Sequence, residues 1–105
     1  MQLEPARTFA ALGDPVRLAL IEALADGRPR SIAELAQGLP MSRQGVSKHL
    51  RVLEGAGVLA AEREGRETRF RTEPEVLADA RDYLARVAKG WDDALRRLKA
   101  HVETS

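Results

Sequence analysis

The stretch Met41 to Gly57, MSRQGVSKHLRVLEGAG, constrains this chain more than any other. At helical spacing Val46, Leu50 and Leu53 fall at i, i+4 and i+7 and form one apolar stripe, leaving Arg43, Gln44, Ser47, Lys48 and Arg51 to point elsewhere. Ser42 precedes the stripe with a side-chain oxygen able to accept from the first free backbone N–H groups, so Arg43 and Gln44 fall in the first turn beside those donors. Gly55-Ala56-Gly57 closes the helix, since glycine enters the left-handed conformation without a Cβ penalty. One face must pack; the other is free to touch something, and its N-terminal end suits phosphate.

The segments before this helix read as bracing for it. Apolar Leu3, Phe9 and Leu12, with Pro5 in a first turn, predict a short helix that Gly13 ends. Asp14-Pro15 restarts a helix with an N-cap acceptor followed by proline at the first helical position, and Val16, Leu20, Ile21 and Leu24 give it a packed stripe up to Asp26-Gly27. Ser31-Ile32-Ala33-Glu34 is a capping box, with Ile32, Leu35, Ala36 and Leu39 on the inner face and Gly38-Leu39-Pro40 forming the turn.

After Gly57 the pattern changes period. Val58 to Arg63 and Glu67 to Thr72 are extended runs flanking Glu64-Gly65-Arg66, which predicts a two-stranded hairpin, or wing, anchored by Phe70. Thr72-Glu73-Pro74-Glu75 offers a further capping box and opens a long helical pattern. There Leu77, Leu84, Trp91 and Leu98 recur every seven residues, with Ala80, Val87, Ala94, Leu95 and Val102 between them. A seam of about four heptads packs lengthwise against another helix. Nothing else in so short a chain is long enough to cover it, so the pattern predicts a second copy in an isologous homodimer, with Leu3 and Phe9 of the first helix joining the interface. Gly90, inside the seam, either lets two backbones approach or marks a bend.

The expected fold is therefore mainly α with a small β-hairpin, a winged helix-turn-helix whose order is four helices, two strands and a terminal helix. A single domain is expected over residues 1–105, with the reading helix at about 42–54, the wing at about 58–72 and the dimerising helix at about 74–102.

Composition narrows the chemistry. With 44% hydrophobic and 31% charged residues the chain suits a soluble globular fold, and with four aromatic residues its core must be aliphatic. Cysteine is absent, which excludes disulfides, thiolate metal sites and thiol redox chemistry. MQLEPARTFAALG lacks the basic region and apolar run of a secretory signal, and no apolar stretch is long enough to cross a bilayer, so a cytoplasmic location with no membrane partner is expected. The net charge is only +1, yet Met41 to Thr72 carries seven Lys/Arg against four Glu. Basic charge is concentrated around the reading helix, as a nucleic-acid partner requires.

LGDPVRLALIEAL, SIAELAQGLPMSRQGVSKHLRVLEGAGVL and EREGRETRFR together resemble the arsenic-repressor (ArsR/SmtB) family of bacterial dimeric transcription regulators over roughly Phe9 to Thr72. The tail WDDALRRLKAHVE resembles a subgroup lacking the metal-binding cysteines. The resemblance implies a homodimeric repressor that places two reading helices in successive major grooves of an inverted-repeat operator in double-stranded DNA. It matches Ser42, Arg43, Gln44, Ser47, Lys48 and His49 to the DNA-facing positions. A Gln44 amide can pair bidentately with adenine and an Arg43 guanidinium with guanine, while Lys48 and Arg51 suit phosphates. Arg63, Arg66 and Arg69 would follow the flanking backbone or enter the minor groove. The bland alternatives are a solvated basic face for Arg51, Arg69 and Arg71, and for His49 a partly buried ring bonded to backbone.

The family's cysteine-containing switch corresponds here to Ser31-Ile32-Ala33-Glu34-Leu35, which has no thiol. A second family site draws Asp and His from the terminal helices of two subunits; Asp82, Asp92, Asp93, His101 and Glu103 lie there, with one histidine per helix, a poor zinc set unless two copies assemble one across a dimer axis. No metal and no cofactor are expected, and any small-molecule or protein effector is unspecified. A protein-interaction module would show apolar anchors on the outer face of the reading helix, where polar residues stand. An enzyme would need convergent titratable groups, yet the two histidines are far apart in sequence, so no catalytic residue is expected.

Overall fold

The computed structural model describes residues 4–104, so Leu3 lies outside the described residues. Its order is α1 (Pro5–Leu12), α2 (Pro15–Ala23), β1 (Arg30–Ser31), α3 (Ile32–Ala36), α4 (Arg43–Gly55), β2 (Leu59–Glu64), β3 (Glu67–Thr72) and α5 (Pro74–Thr104). Each early helix begins where a side chain satisfies its free N–H groups. Asp14 Oδ2 accepts from the backbone N–H of Val16 at 2.9 Å and of Arg17 at 3.0 Å. Ser31 Oγ accepts from the Glu34 N–H at 3.2 Å while the Ser31 N–H donates to Glu34 Oε1 at 2.9 Å, a reciprocal capping box. Ser42 Oγ accepts from the Gly45 N–H at 3.1 Å. Gly57 ends the α4 region in the left-handed conformation, with φ of 79°.

The core is aliphatic with one aromatic ring at its centre. Leu20, Leu24, Leu35, Val46, Leu50, Leu53, Val58 and Phe70 are buried together. The α4 stripe anticipated from sequence, Val46, Leu50 and Leu53, is its middle row. Burying that face against α2, α3 and β2 fixes the roll of the helix, and so decides which side chains remain outside.

The hairpin turns through Gly65-Arg66, with Glu64 paired to Glu67 and φ of 63° at Gly65. A third strand joins it. Arg30 pairs with Phe70 and Ser31 with Arg69, giving the sheet order β1-β3-β2 where the sequence predicted two strands. Two residues are too few to show a period of two, and their partners lie about forty positions away along the chain. Ser31 thus ends a strand and caps a helix at once. The expected capping box at Thr72 does not start α5: Thr72 completes β3 opposite Leu59, and Glu73 is the residue before the first helical position, Pro74.

The terminal helix has two halves. Val76 and Ala80 are buried, Leu77 packs against this chain's own core, and Tyr83 meets Phe9 of α1 with ring centroids 5.5 Å apart. Beyond Tyr83 the helix leaves the body, and Leu84, Val87, Trp91, Leu95 and Leu98 are 40–66% exposed. With 31 residues α5 is about 46 Å long, which accounts for a molecule of 68 × 30 × 22 Å. Among the described residues no helix is long and apolar enough to cross a membrane.

Candidate nucleic-acid interface

Packing α4 through Val46, Leu50 and Leu53 leaves Ser42, Arg43, Gln44 and Lys48 exposed and Ser47 half-buried. Of these, Ser42 is committed to capping. No side-chain hydrogen bond or ion pair to another described residue engages Arg43, Gln44 or Lys48. At the wing tip Arg66 is exposed and likewise unengaged. Arg43 and Arg66 line one cleft together with Ser31, Ile32 and Ala33, so the start of α4 and the tip of the wing present two guanidinium groups to the same side.

The other candidate cations are already partnered. Arg51 pairs with Glu54 at 3.0 Å, and its guanidinium carbon lies 5.7 Å from the centroid of the Phe70 ring. Arg63 Nε donates to the Gly65 carbonyl at 3.4 Å, bracing the turn. Arg69 stands among three carboxylates, Glu34 at 3.8 Å, Glu64 at 3.3 Å and Glu67 at 3.2 Å. The capping bond from the Ser31 N–H, with smaller help from the Arg69 and Arg30 charges, holds the Glu34 carboxyl below its ordinary range, so this carboxylate stays charged beside Arg69. Arg71 is bound in the same way, to Glu73 at 2.8 Å and Glu62 at 3.7 Å.

His49 sits apart from the outward-facing set. Its ring is half-buried, with Nδ1 3.3 Å from Arg17 Nη1 and 3.7 Å from Asp14 Oδ2. Arg17 in turn donates from Nε to the Ala11 carbonyl at 2.6 Å. Arg17 of α2 therefore links α4 to α1, with Asp14 beside the ring, a positioning role that sequence reasoning missed. Asp14-Pro15 signalled only the cap, because the contact to His49 spans about thirty-five positions.

A uniform face of unengaged polar groups at the start of one helix, set beside a basic hairpin and braced by three further helices, defines a winged helix-turn-helix. Residues 12–61 match the family model described as a helix-turn-helix domain. The chain is 40% identical over 91 residues to the HTH-type transcriptional regulator Rv2034 of Mycobacterium tuberculosis, covering 87% of this chain and 81% of that protein. Its fold is similar to an ArsR-like transcriptional regulator from Rhodococcus sp. RHA1, with a TM-score of 0.78, 35% identity and 91% and 90% of the two chains covered. It is also similar to the homodimeric winged helix-turn-helix DNA-binding domain of a possible ArsR-family regulator from Mycobacterium bovis, with a TM-score of 0.62, 28% identity and 84% and 78% coverage. This chain belongs to the ArsR/SmtB family of winged helix-turn-helix transcriptional regulators, which are DNA-binding proteins.

A metal centre finds a poor donor set in these residues. The chain has no cysteine, and among the described residues no group of three or more His, Asp or Glu converges. Asp93, one of the acids on α5, is engaged by Lys89 and Arg96 of its own helix.

Proposed function

We propose that this protein is a homodimeric, sequence-specific transcriptional repressor that reads an inverted repeat through the first half of α4. The observation that carries the reading is the sorting of its cations: Arg43, Lys48 and Arg66 are unengaged, as is Gln44, and Arg43 and Arg66 line one cleft, while the remaining arginines of this region are held by carboxylates or backbone. Phosphate contacts made by unengaged cations gain affinity without breaking an ion pair. Gln44 and Arg43, in the first turn, would meet base edges, adenine and guanine respectively. Lys48, one turn further on, suits phosphate, and Arg66 suits the flanking backbone or minor groove.

Dimerisation is supported by the exposed seam from Leu84 to Leu98, by the length of α5 that no other part of the chain covers, and by the homodimeric relative. Two copies related by a two-fold axis would hold their reading helices about 34 to 36 Å apart, one turn of B-DNA. Repression then follows from occupying a promoter. The test is to incubate the purified protein with fragmented genomic DNA and sequence what it retains. An inverted repeat with half-site centres about one helical turn apart, situated in promoters, is expected; retention without a shared sequence overturns the reading.

A further inference from the structure

A second concave surface lies behind the reading helix, between α1 and the C-terminal half of α4. It is lined by Arg7, Arg17 and Arg51 together with Ala10, Ala11 and Val52, and its volume of about 500 Å³ falls in the range of small-ligand clefts, about 300 to 1,000 Å³. The Arg7 guanidinium lies across Gly55, with Nη2 3.8 Å from where a Cβ would stand, and it has no ion-pair partner among the described residues. Arg17 is fixed at the end of α1 by its bonds to the Ala11 and Ala10 carbonyls. Arg51 is paired with the half-buried Glu54 and lies over the Phe70 ring, and an ion pair of this kind near the surface costs little to exchange. The unpaired Arg7 guanidinium and the exchangeable Arg51, beside a mainly apolar lining and with the Arg17 charge near, select a ligand that is anionic at one end and apolar at the other.

The position argues against a nucleic-acid contact. Arg51 and Val52 lie eight and nine residues beyond Arg43, about 12 Å further along the helix axis. The cleft is lined mainly by apolar atoms, which phosphate does not seek. Its walls, in contrast, join the two working parts of the molecule. The other side of α1 places Phe9 against Tyr83 of α5, and Arg17 Nη1 lies 3.3 Å from His49 of α4. An occupant that engages Arg7 and Arg51 at once would bridge α1 and α4, the helix proposed to meet DNA.

We propose that the Arg7–Arg17–Arg51 cleft between α1 and α4 binds a small organic anion with an apolar body, and that occupation changes the affinity for DNA. The binding half stands alone, whereas the regulatory half rests on the DNA-reading function proposed above. The probe is 1-naphthoate, with neutral 1-naphthamide as control, followed by methyl and backbone NMR on the full chain without DNA. Saturable shifts centred on Ala10, Ala11 and Val52 are expected, with naphthamide weaker by about tenfold or more, the loss expected for a charge-assisted hydrogen bond. Arg7→Gln should weaken naphthoate comparably, and Val52→Glu, on an exposed side chain, should abolish binding while circular dichroism stays native. Equal binding of naphthamide, shifts centred on Trp91, or no saturable shift overturns the site. So does an Arg7→Gln variant that loses DNA affinity equally on all sequences while naphthoate leaves the cleft unmoved, since Arg7 is then a phosphate contact. In the second arm, saturating naphthoate should change affinity for the selected operator by about fivefold or more in the wild type and not in Arg7→Gln. Unchanged affinity with the cleft occupied overturns the regulatory half, while failure to retain any operator overturns the DNA reading and leaves the naphthoate result standing.

Discussion

His49 Nδ1 lies 3.7 Å from Asp14 Oδ2, so α4 stands beside the residue that caps α2. The same oxygen accepts the backbone N–H groups of Val16 and Arg17. One carboxylate thus starts a helix and faces the side of another. The bond from the Arg17 N–H, chiefly, holds the Asp14 carboxyl below its ordinary range; the Val16 N–H and the His49 and Arg17 charges add to this, against some desolvation.

Acid unfolding tests that arrangement. A carboxyl with a depressed folded-state pKa contributes stability that is fully present above its unfolded value of about 3.9, and that stability is lost as pH falls through the folded value. Asp14→Asn keeps a capping acceptor and removes the titration, so its stability should fall less steeply with acid below about pH 4 than that of the wild type. Urea midpoints measured across this range decide it; parallel acid limbs would show that Asp14 contributes no pH dependence.

Ser42 offers a way to separate folding from reading. Ser42→Ala removes the acceptor for the Gly45 N–H and should cost about 1 kcal/mol of stability, read from chemical denaturation. Ser42→Asp restores a good cap and complements the positive helix end, so stability should return. Its negative charge would stand where phosphate is proposed to lie, and DNA affinity should fall although the fold is intact. Full affinity in Ser42→Asp would move the phosphate away from this turn.

The cations should divide by their existing partners. Lys48→Ala and Arg66→Ala should each weaken binding on every sequence and flatten the dependence of log affinity on log salt by about 0.9 per lost contact. Arg69→Ala should act mainly on the wing, since it leaves Glu34, Glu64 and Glu67 without their shared cation and lowers thermal stability. Fluorescence anisotropy across a salt series reads the slopes; an unchanged slope for Lys48→Ala would mean that α4 is turned otherwise on DNA.

Gln44→Ala probes base reading separately from backbone contact. Discrimination at one base pair should drop by about 1 to 3 kcal/mol while non-specific affinity survives. Competition among single-base operator variants measures it, and an unaltered preference would assign the base contact to another residue.

The seam on α5 predicts the assembly. Leu84→Glu combined with Trp91→Glu places two charges on exposed positions, so the fold of the body should remain native. Sedimentation should then show a monomer where the wild type is expected to run as a dimer, with weaker operator binding because each molecule has half the contacts. A dimeric mass for the double variant would relocate the interface.

Local chemistry was legible along the chain. Asp14, Ser31 and Ser42 cap because a side-chain oxygen needs to reach only two or three residues ahead. The α4 stripe and the Gly65 turn announce themselves by period and by a residue that tolerates positive φ. The polar face of α4 followed from the same periodicity. β1 was not legible, because a two-residue strand exists only through pairing with Phe70 and Arg69. Nor was the division among arginines. Arg66 and Arg69 look alike in sequence, yet the twist of the hairpin and the return of α3 bring three carboxylates to one and none to the other. Caps, turns and amphipathic faces arise within one or two turns of backbone, so the sequence by itself determined the elements and the side of α4 that packs. The third carboxylate beside Arg69, the surroundings of His49 and the cleft behind α4 depend on segments thirty or more residues apart, and only closure of the tertiary structure decided them.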